Sequence, residues 1–582
     1  MDLTEIHSPA DIKGMSIDEL EQLADSLRSV LLTKLSTHGG HTGPNLGFLE
    51  ATIAMHYVFN SPVDKIVYDV SHQSYVHKML TGRIAAFTDP AHYDDVTGYT
   101  NPGESEHDFF TIGHTSTAVS LAGGLAKARD LQGGTENIIA VIGDGSLSGG
   151  EAFEGLDYGA TLGTNFIVVV NDNDMSIAEN HGGLYADLHL LRSTDGTADN
   201  NYFRSLGYAY RYVRYGNDLR SLIKAFSEVK DYNRPVVVHL NTQKGNGYAP
   251  AEANREKFHY AAPFNLETGE MVSGGGESYD DIFSAMMLDK MKNDKRVAVI
   301  TAGTPGVLGF TPEKRREAGR QFIDVGIAEQ EAVALASGMA KGGCRPVFGV
   351  VSSFLQRAYD QLSQDVAINN TPVVLNIFYG SVAGMTDVTH LGWFDIALVA
   401  NIPGWVYLAP TCKEEYVAML DWAVRQTSHP VAVRVPGVMA SCDREFPADY
   451  DDLNRNEVVC CGSRVAVIAA GTCLKAALEA ADKLKAEGVD ITVINPRFLS
   501  GIDTELLDSL KADHELVITL EDGVIDGGYG EKVARYYGDS DMKVMCRGVK
   551  KEFLDRYDIG KVLADSGLTA DAVVATIKKA IK

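Results

Sequence analysis

The stretch "AVIGDGSLSGG", Ala140–Gly150, leads from a run of apolar residues into a glycine-rich turn. Turns of this kind at the C-terminal edge of a parallel sheet commonly bind a phosphate group. The dinucleotide-binding pattern GxGxxG is absent, because Ser148 stands at the place of the third glycine. Asp144 lies inside the turn, and its carboxylate would repel phosphate oxygens directly. The turn therefore predicts a cation between this carboxylate and a phosphorylated ligand.

Asn173 supplies a second oxygen ligand at the same edge of the predicted sheet. From the turn, the chain runs through a helical stretch, "GGEAFEGLDYGATL", into the apolar strand "NFIVVV" and then "NDNDM". Asp144 and Asn173 thus follow two parallel strands that one helix joins, and such loops share one sheet edge. Carboxylate, amide and carbonyl oxygens are ligands that Mg²⁺ prefers, with diphosphate oxygens completing an octahedron. The two loops therefore predict a site for Mg²⁺ and a diphosphate.

Short apolar, β-rich runs alternate with amphipathic helical runs along most of the chain. This alternation is typical of parallel sheets that are covered by helices on both faces. Two polar joins, Glu267–Asp281 and Cys442–Glu457, divide the alternation into three series. We therefore predict three doubly wound α/β domains with mainly parallel sheets, over residues 1–272, 278–441 and 457–582. The predicted strands are "KIVYDV", "IIAVIG", "FIVVVND" and "PVVVHLNT" in the first series, "VAVITAG", "FIDVGIAE", "RPVFGVV", "PVVLNIFYG" and "VAVRVPG" in the second, and "RVAVIAAG", "ITVINPR" and "HELVITLED" in the third.

Length, charge and cysteine content exclude several classes of function. The 582 residues are too many for one hydrophobic core. With 78 acidic against 52 basic residues and a net charge of −26, the chain is a poor partner for nucleic acid. No apolar run approaches the roughly 20 residues that span a bilayer, and the first residues lack a signal-peptide pattern. Seven cysteines without a CxxC pair fit a reducing compartment. We expect a cytoplasmic protein that acts on small molecules, without a membrane or nucleic-acid partner.

The pair GDG and NDN resembles the diphosphate motif of thiamine diphosphate enzymes. Such enzymes need a carboxylate that hydrogen-bonds the aminopyrimidine ring of the cofactor. Glu329 in "FIDVGIAEQEAVALASGMA" lies where a predicted strand gives way to a helix, and "IAEQ" resembles the catalytic segment of that class. Phe354 in "SSFLQRAYDQ" is then expected to pack against the pyrimidine.

Nearly the whole chain resembles the 1-deoxy-D-xylulose-5-phosphate synthase family and, more distantly, the transketolases. The resemblance implies a transketolase-like architecture, thiamine diphosphate and Mg²⁺ as cofactors, and a homodimer. It also implies a decarboxylating carboligase that joins pyruvate to D-glyceraldehyde 3-phosphate, with a product that feeds isoprenoid, thiamine and pyridoxal phosphate synthesis. The segments that carry the resemblance include "GGHTGPNLG", "DVSHQSYVHKMLTGR", "GESEHDFFTIGHTST", "KGNGYAPAE", "FLQRAYDQLSQDVA", "THLGWFDI", "INPRFL" and "GGYG".

Position by position, the resemblance implies roles for seventeen residues. A histidine cluster suits proton transfer near neutral pH, and an arginine suits a substrate carboxylate. The expected metal ligands are Asp144, Asn173 and the carbonyl of Met175. The expected cofactor contacts are His72, His114, Thr115, Ser116, Gly145, Ser146, Asn173, Lys244, Tyr248, Glu329 and Phe354. The expected catalytic residues are Glu329, His41, His259, His390 and Arg357.

Four positions depart from the family pattern at the end of the site that takes the acceptor aldehyde. Val351 stands where the family has Tyr, Tyr379 and Gly437 where it has Arg, and Thr386 where it has Asp. In the family the two arginines hold the acceptor phosphate, and each charge-assisted hydrogen bond is worth roughly 1.5–3 kcal/mol. Their loss would weaken a phosphorylated acceptor by orders of magnitude unless Arg434 or another residue takes their place. Drift in a divergent synthase and a changed, unphosphorylated acceptor both remain open.

Three other functions compete with this interpretation. A transketolase would take a two-carbon unit from a ketose phosphate and release no CO₂. A dehydrogenase component of a 2-oxoacid complex would pass an acyl group to a lipoyl arm, but the resemblance over the full chain disfavours it. A cofactor-binding protein without catalysis would have lost Glu329, which is present here. The segment Asn180–Asn201 is polar and shorter than the family leads us to expect, and it carries no prediction of its own.

Overall fold

A computed structural model describes residues 2–272 and 276–581. The chain divides into two compact units, one of Met1–Gly276 with Gly326–Ala328 and one of Glu277–Val325 with Glu329–Lys582. The centre of the predicted first linker, residues 273–275, lies outside the described residues. A connection without helix or strand runs from residue 435 to residue 456 and contains most of the second predicted join, whose role as a domain boundary stays a prediction.

The first unit is built on a five-stranded, wholly parallel sheet in the order β1-β2-β3-β5-β4. Its strands are β1 (Lys65–Tyr68), β2 (Ile138–Gly143), β3 (Phe166–Asp172), β4 (Ala209–Val213) and β5 (Pro235–Asn241). Its helices are α1 (Ile17–His38), α2 (Thr42–Val58), α3 (Tyr75–Lys78), α4 (Ala85–Thr88), α5 (Ala118–Gln132), α6 (Gly150–Gly159), α7 (Leu184–Ser193), α8 (Tyr202–Leu206), α9 (Leu219–Val229) and α10 (Ala249–Ala253).

The interior strand β2 has a continuously apolar sequence because both of its faces are buried. Ile139 and Val141 face one hydrophobic core, which also holds side chains of α1, α2 and α9. Ile138, Ala140 and Ile142 face a second core, formed with α5, α6 and α7. A strand that is buried on both faces alternates between two apolar environments, so no polar residue interrupts it. The prediction of helices on both faces is confirmed for this sheet.

Helix α1 begins as its sequence predicts. The Ser16 hydroxyl accepts a hydrogen bond from the backbone N–H of Glu19, and the Glu19 carboxylate accepts one from the backbone N–H of Ser16. This reciprocal arrangement pairs two donors that a helix start would otherwise leave without partners. Leucines at helical spacing then face the core, namely Leu20, Leu23, Leu27, Leu31 and Leu35.

The second unit contains two further sheets. The six-stranded sheet has the order β10-β11-β9-β8-β6-β7 and is wholly parallel. The five-stranded sheet has the order β12-β14-β13-β15-β16, and only β12 runs antiparallel to its neighbour among the described strands. The strands are β6 (Val297–Thr301), β7 (Phe322–Asp324), β8 (Arg345–Val351), β9 (Val374–Phe378), β10 (Val406–Leu408), β11 (Val431–Arg434), β12 (Glu457–Cys460), β13 (Arg464–Ala469), β14 (Thr492–Asn495), β15 (His514–Val524) and β16 (Lys543–Val549).

Twelve α-helices lie between these strands in the part of the unit that the structure describes. Together with the sheets they give the α/β architecture with mainly parallel sheets that the sequence predicts. The helices are α11 (Tyr279–Asn293), α12 (Pro312–Ala318), α13 (Glu329–Lys341), α14 (Ser352–Leu355), α15 (Tyr359–Gln361), α16 (Asp395–Val399), α17 (Lys413–Arg425), α18 (Cys473–Lys485), α19 (Thr504–Leu510), α20 (Tyr529–Tyr537), α21 (Ile559–Asp565) and α22 (Ala570–Ala580). Among the described residues, no helix combines the length and the apolar character that crossing a bilayer requires.

Candidate active site

The glycine-rich turn leaves the end of β2 as a short 3-10 helix, Asp144–Ser148, before α6 begins. Two of its glycines are required by close contacts. A Cβ atom on Gly145 would lie 2.9 Å from the Cα of Ser176, and one on Gly149 would lie 2.1 Å from the hydroxyl of Ser116. The turn therefore packs against two other loops at the same sheet edge, and any larger residue would push them apart.

Asp144 and Asn173 follow the neighbouring parallel strands β2 and β3, as predicted. Asp144 is buried, and its Oδ2 accepts hydrogen bonds from the backbone N–H of Met175 (2.9 Å) and the side-chain amide of Asn180 (2.7 Å). Burial, and then the nearby carboxylate of Asp172, raise the pKa of Asp144 to about 7. A buried carboxylate beside a second negative charge is a place where a bound cation would lower the free energy.

Three buried oxygen atoms around Asp144 have no hydrogen-bond partner among the described residues. They are the amide oxygens of Asn173 and Asn180 and the hydroxyl of Ser176. Most buried polar atoms in folded proteins have a partner, so a group of orphaned acceptors at one place indicates a missing ligand. The chemistry of this donor set is hard oxygen, which fits Mg²⁺ and not a thiophilic metal. Asn180 and Ser176 were not predicted, because no spacing rule links them to GDG or NDN.

Three predicted histidines form one cluster in the first unit. The ring centroids of His41 and His72 lie 5.1 Å apart, those of His72 and His259 5.2 Å apart, and those of His41 and His259 5.8 Å apart. Burial holds the pKa values of His72 and His259 well below the usual range, and neighbouring positive groups lower them further. Burial therefore favours the uncharged form of both rings, in which one nitrogen donates a hydrogen bond and the other accepts one. The Nδ1 of His72 is a further buried atom without a partner among the described residues.

Asn45 is a buried residue that positions two of these histidines and that sequence reasoning missed. Its side-chain amide donates to the backbone carbonyls of both His41 and His72, each at 2.7 Å. Its amide oxygen accepts a hydrogen bond from the backbone N–H of Tyr75 (2.9 Å). One side chain thus ties the start of α2 to the loop that carries His72.

Lys244 joins the histidine cluster to the turn at Asp144. Its ammonium group lies 3.1 Å from Nδ1 of His259 and donates to the carbonyl of Ser176 at 2.5 Å. Burial lowers the pKa of Lys244 to about 7, although the charge of Asp144 acts in the opposite direction. The predicted residues Lys244, His259 and Asp144 therefore belong to one continuous set of contacts.

The remaining predicted residues of the first unit lie in two places. Ser116 follows His114 and Thr115 in the turn before α5, and its hydroxyl donates to the carbonyl of Ser146 (2.8 Å). Tyr248 differs, because its hydroxyl donates to the carbonyl of Leu266 and its ring packs in the hydrophobic core. Its role near a cofactor stays a prediction.

In the second unit, Glu329 is the first residue of α13, where the sequence places it. The side chain is 3% exposed, and its Oε2 lies 3.3 Å from the guanidinium of Arg357. Burial raises the pKa of Glu329 above its ordinary value, and the positive charge of Arg357 offsets part of that effect. A carboxyl group of this kind changes between its protonated and ionised forms closer to neutral pH than an exposed one.

Phe354 and His390 extend this second cluster. Phe354 lies three residues before Arg357, and its ring meets the His390 ring edge-on at a centroid distance of 5.3 Å. Nδ1 of His390 lies 2.9 Å from a carboxylate oxygen of Asp387. An acidic partner at one ring nitrogen fixes the tautomer and directs the other nitrogen elsewhere. The structure thus brings together the four residues that the sequence predicts in this unit, and adds Asp387.

Comparisons with known proteins identify the family. The model described as "1-deoxy-D-xylulose-5-phosphate synthase" matches residues 3–199. The chain is 38% identical to a 1-deoxy-D-xylulose-5-phosphate synthase of Pelotomaculum thermopropionicum, over 99% of this chain and 96% of the relative. The chain belongs to the 1-deoxy-D-xylulose-5-phosphate synthase family. The resemblance stated from the sequence is confirmed.

Further matches cover the second unit. The "Transketolase, pyrimidine binding domain" model matches residues 277–438, and the "Transketolase, C-terminal domain" model matches residues 455–573. A synthase of the same family from Caldanaerobacter subterraneus is 37% identical over the full chain and 99% of the relative. A solved transketolase from Pichia stipitis aligns with 97% of each chain at 14% identity and a TM-score of 0.43. The chain is a thiamine diphosphate-dependent transferase of this family.

Proposed function

We propose that this enzyme condenses pyruvate with D-glyceraldehyde 3-phosphate, releasing CO₂ and forming 1-deoxy-D-xylulose 5-phosphate. The observation that carries the proposal is the group of orphaned oxygens around Asp144, in a chain of this family. Asn173, Ser176 and Asn180 each present a buried oxygen without a partner among the described residues. Such atoms suit a metal ion that is bound together with a diphosphate group. A glycine-rich turn can hold the diphosphate group of the cofactor.

We assign Mg²⁺ to Asp144, Asn173 and the carbonyl of Met175. Gly145 and Ser146 are assigned to the diphosphate, since they lie in the same turn. When bound, thiamine diphosphate supplies a nucleophilic carbon and accepts the electron pair that decarboxylation releases. The protein's own task is then to fix this group, to exclude water and to move protons.

The titratable residues divide this task between them. Glu329 is proposed to exchange the proton that activates the cofactor, because it is a buried carboxyl group whose pKa burial raises above the ordinary value. Arg357, beside it, is proposed to receive the carboxylate of pyruvate. His41, His259 and His390 are proposed to move protons, and Asp387 orients His390 for this work.

The test is a direct assay of the purified protein with thiamine diphosphate, Mg²⁺, pyruvate and D-glyceraldehyde 3-phosphate. We expect CO₂ release that depends on the aldehyde, and a product with the mass of 1-deoxy-D-xylulose 5-phosphate. A transketolase would instead transfer a two-carbon unit from a ketose phosphate without CO₂. That result, or no turnover with pyruvate and any aldehyde, would contradict the proposal.

A second candidate keeps the same chemistry but uses an unphosphorylated aldehyde acceptor. Arg434 is the residue that could substitute for the missing arginines, but its guanidinium is already bound to two carboxylates. Its Nε donates to Asp395 Oδ2 (2.6 Å), its Nη2 to Asp395 Oδ1 (3.2 Å), and its Nη1 to a carboxylate oxygen of Asp522. Arg434 is 4% exposed, so two carboxylates already occupy its donors.

The backbone at Gly437 also opposes a larger side chain. A Cβ atom there would lie 1.9 Å from the carbonyl oxygen of Ala383 and 2.8 Å from the Cα of Gly384. This loop geometry is built for glycine, so the missing arginine is not a point change within an unaltered pocket. The same assay with D-glyceraldehyde and D-glyceraldehyde 3-phosphate in parallel distinguishes the two candidates through the ratio of kcat/KM values. A ratio that favours the unphosphorylated aldehyde would select the second candidate.

We propose three further properties of this enzyme. We propose that the enzyme works in the cytoplasm, that it forms a homodimer, and that its three domains span residues 1–272, 278–441 and 457–582. Size-exclusion chromatography with light scattering tests the dimer. Limited proteolysis tests the domain boundaries, since cleavage is expected first in the two predicted joins.

A further inference from the structure

Two cysteine side chains lie close together at the start of α17. Cys412 is the residue immediately before α17, and Cys442 lies in the connection that follows β11. Sulfur atoms of these two residues and a carboxylate oxygen of Glu414 all lie within 4.8 Å of one another. The two cysteines are 30 positions apart in the sequence, so only the fold brings them together.

Backbone hydrogen bonds hold the two segments side by side. The N–H of Lys413 donates to the carbonyl of Ala440 at 2.8 Å. The N–H of Cys442 donates to Oε2 of Glu414 at 3.0 Å. A disulfide needs sulfur atoms about 2.05 Å apart on closely spaced backbones, and these bonds bring the two backbones close together.

The two thiols differ in their exposure to solvent, as expected for a pair in which one thiol reacts first. Cys412 is 2% exposed, and burial raises its pKa to about 12. Cys442 is partly exposed and lies against the guanidinium of Arg444. That guanidinium is held in place by Thr411 (2.7 Å) and Glu457 (3.1 Å). An accessible sulfur beside a positive charge, with a protected thiol behind it, is the arrangement in which a thiol reacts first and is then resolved by its neighbour.

We propose that Cys412 and Cys442 are a thiol–disulfide pair that a low-molecular-weight disulfide oxidises reversibly. The Cys442 thiolate attacks one sulfur of that disulfide, forms a mixed disulfide and releases one thiolate. Cys412 then loses its proton and attacks the Cys442 sulfur, which expels the second thiolate. Two protein thiols become one intramolecular disulfide, and the small disulfide is reduced to two thiols. The bond joins the connection after β11 to the start of α17.

A bound metal is the competing use of these groups. Two sulfurs and a carboxylate are ligands that zinc accepts. The positive charge of Arg444 beside Cys442 opposes the binding of a divalent cation there. The described residues of this cluster offer three ligands, and structural zinc sites are almost always four-coordinate. The geometry therefore favours the disulfide.

The test treats the full-length protein with glutathione disulfide, alkylates the remaining thiols and maps the peptides without reduction. We expect a cross-link between the Cys412 and Cys442 peptides that dithiothreitol reverses. In Cys412→Ser, the glutathione mixed disulfide should persist on Cys442, because the resolving thiol is gone. In Cys442→Ser, Cys412 should remain unmodified. Cys461→Ser removes an exposed thiol outside the pair and should leave the cross-link unchanged.

Three results would overturn the proposal. The first is wild-type protein in which Cys442 remains glutathionylated without a cross-link. The second is wild-type protein in which neither thiol reacts. The third is stoichiometric zinc in the protein as purified, lost in Cys442→Ser and protecting the pair from oxidation, which would establish a metal site instead. None of these results depends on the proposed reaction, since each is read from peptide masses or metal content.

Discussion

At the scale of single residues, a substitution at Glu329 can distinguish a role in catalysis from a role in cofactor binding alone. Glu329→Gln keeps the size of the side chain but removes its ability to exchange a proton. We expect kcat to fall by about 10²–10⁴-fold, the usual contribution of a general acid or base, while the Kd for thiamine diphosphate changes much less. Steady-state kinetics and calorimetric titration of the cofactor give the two values.

The matched control is Glu331→Gln, since Glu331 lies in the same helix turn and is exposed. It should leave both kcat and the cofactor Kd within about twofold. Equal kcat values for the Glu329 and Glu331 variants would contradict a proton-transfer role for Glu329. A loss of cofactor binding in the Glu329 variant alone would assign it to binding instead.

The second prediction at this scale concerns Asn180. Its side-chain amide contacts Asp144, and its amide oxygen has no hydrogen-bond partner among the described residues. Asn180→Ala removes a hydrogen bond to a carboxylate, worth roughly 1.5–3 kcal/mol. We therefore expect the apparent Kd for Mg²⁺ with thiamine diphosphate to rise by about tenfold or more. Isothermal titration of the apoprotein measures it directly.

The control for this prediction is Asn200→Ala. Asn200 is exposed, and its side chain bonds to Asp187. Its removal should not change the affinity for the metal and cofactor. Unchanged affinity in the Asn180 variant as well would show that the orphaned oxygen at that position faces neither group.

At the scale of elements, a buried polar network secures α3 and the turn that follows it. Nε2 of His56 lies 2.8 Å from Nδ1 of His77, whose Nε2 lies 2.7 Å from Asp108. Arg83 donates to both oxygens of Asp108. Burial acts to raise the pKa of Asp108, but the hydrogen bonds from His77 and Arg83 hold it well below the ordinary value. The network therefore depends on an ionised carboxylate.

Asp108→Asn is expected to lower the free energy of unfolding by about 1.5–3 kcal/mol at pH 7, because the charged hydrogen bonds from His77 and Arg83 are weakened while Arg83 keeps its ion pair with Glu104. Since the folded pKa lies below the unfolded value of 3.8, the stabilisation by Asp108 is present above pH 4 and is lost as the pH falls further. The gap between the wild type and the variant should thus close in acid. Urea unfolding at several pH values measures it.

Asp294→Asn is the control, since Asp294 forms an exposed ion pair with Arg296. Exposed pairs contribute about 0–1 kcal/mol, so this variant should unfold almost as the wild type does. A stability difference for Asp108→Asn that stays constant down to pH 2 would contradict the role of the ionised carboxylate.

Elements buried on both sides were the easiest to predict from the sequence. Strand β2 is apolar throughout and β3 is apolar up to its last two residues, Asn171 and Asp172, and the predicted bounds of both strands are those of the structure. Strand β4 was missed, because it lies at the sheet edge and its residues are mostly half-buried, which leaves no apolar run. Strand β12 was missed for a similar reason, and its antiparallel direction has no signature in four residues.

Residues of the candidate site could be predicted where they belong to a sequence motif. Residues that only the tertiary fold brings to the site could not. Asp144 and Asn173 could be placed at one sheet edge because they follow strand ends, whereas the role predicted for Glu329 came from the resemblance of "IAEQ" to the family's segment. Asn45 was missed, since its importance lies in contacts with two loops that are distant in sequence. The proximity of Cys412 to Cys442, in the connection after β11, could not be predicted for the same reason. Contacts between distant loops depend on tertiary packing, which local patterns do not encode.

At the scale of the whole molecule, one arginine connects two sheets of the second unit. Arg434 ends β11 of the six-stranded sheet, and Asp522 lies in β15 of the five-stranded sheet. Asp395, at the start of α16, completes a buried group of one positive and two negative charges. Breaking a buried ion pair is costly, because the remaining charges lose their partner without regaining water.

Arg434→Met should therefore lower the free energy of unfolding by about 3–5 kcal/mol and loosen the coupling between the two sheets. The three tryptophans, Trp393, Trp405 and Trp422, all belong to the second unit, so their fluorescence reports on it alone. We expect the midpoint of the fluorescence transition in urea to fall. Arg464→Met removes an exposed pair with Glu515 and should shift that midpoint little, since exposed pairs are weak. Equal shifts in both variants would show that the buried charges do not hold the two sheets together.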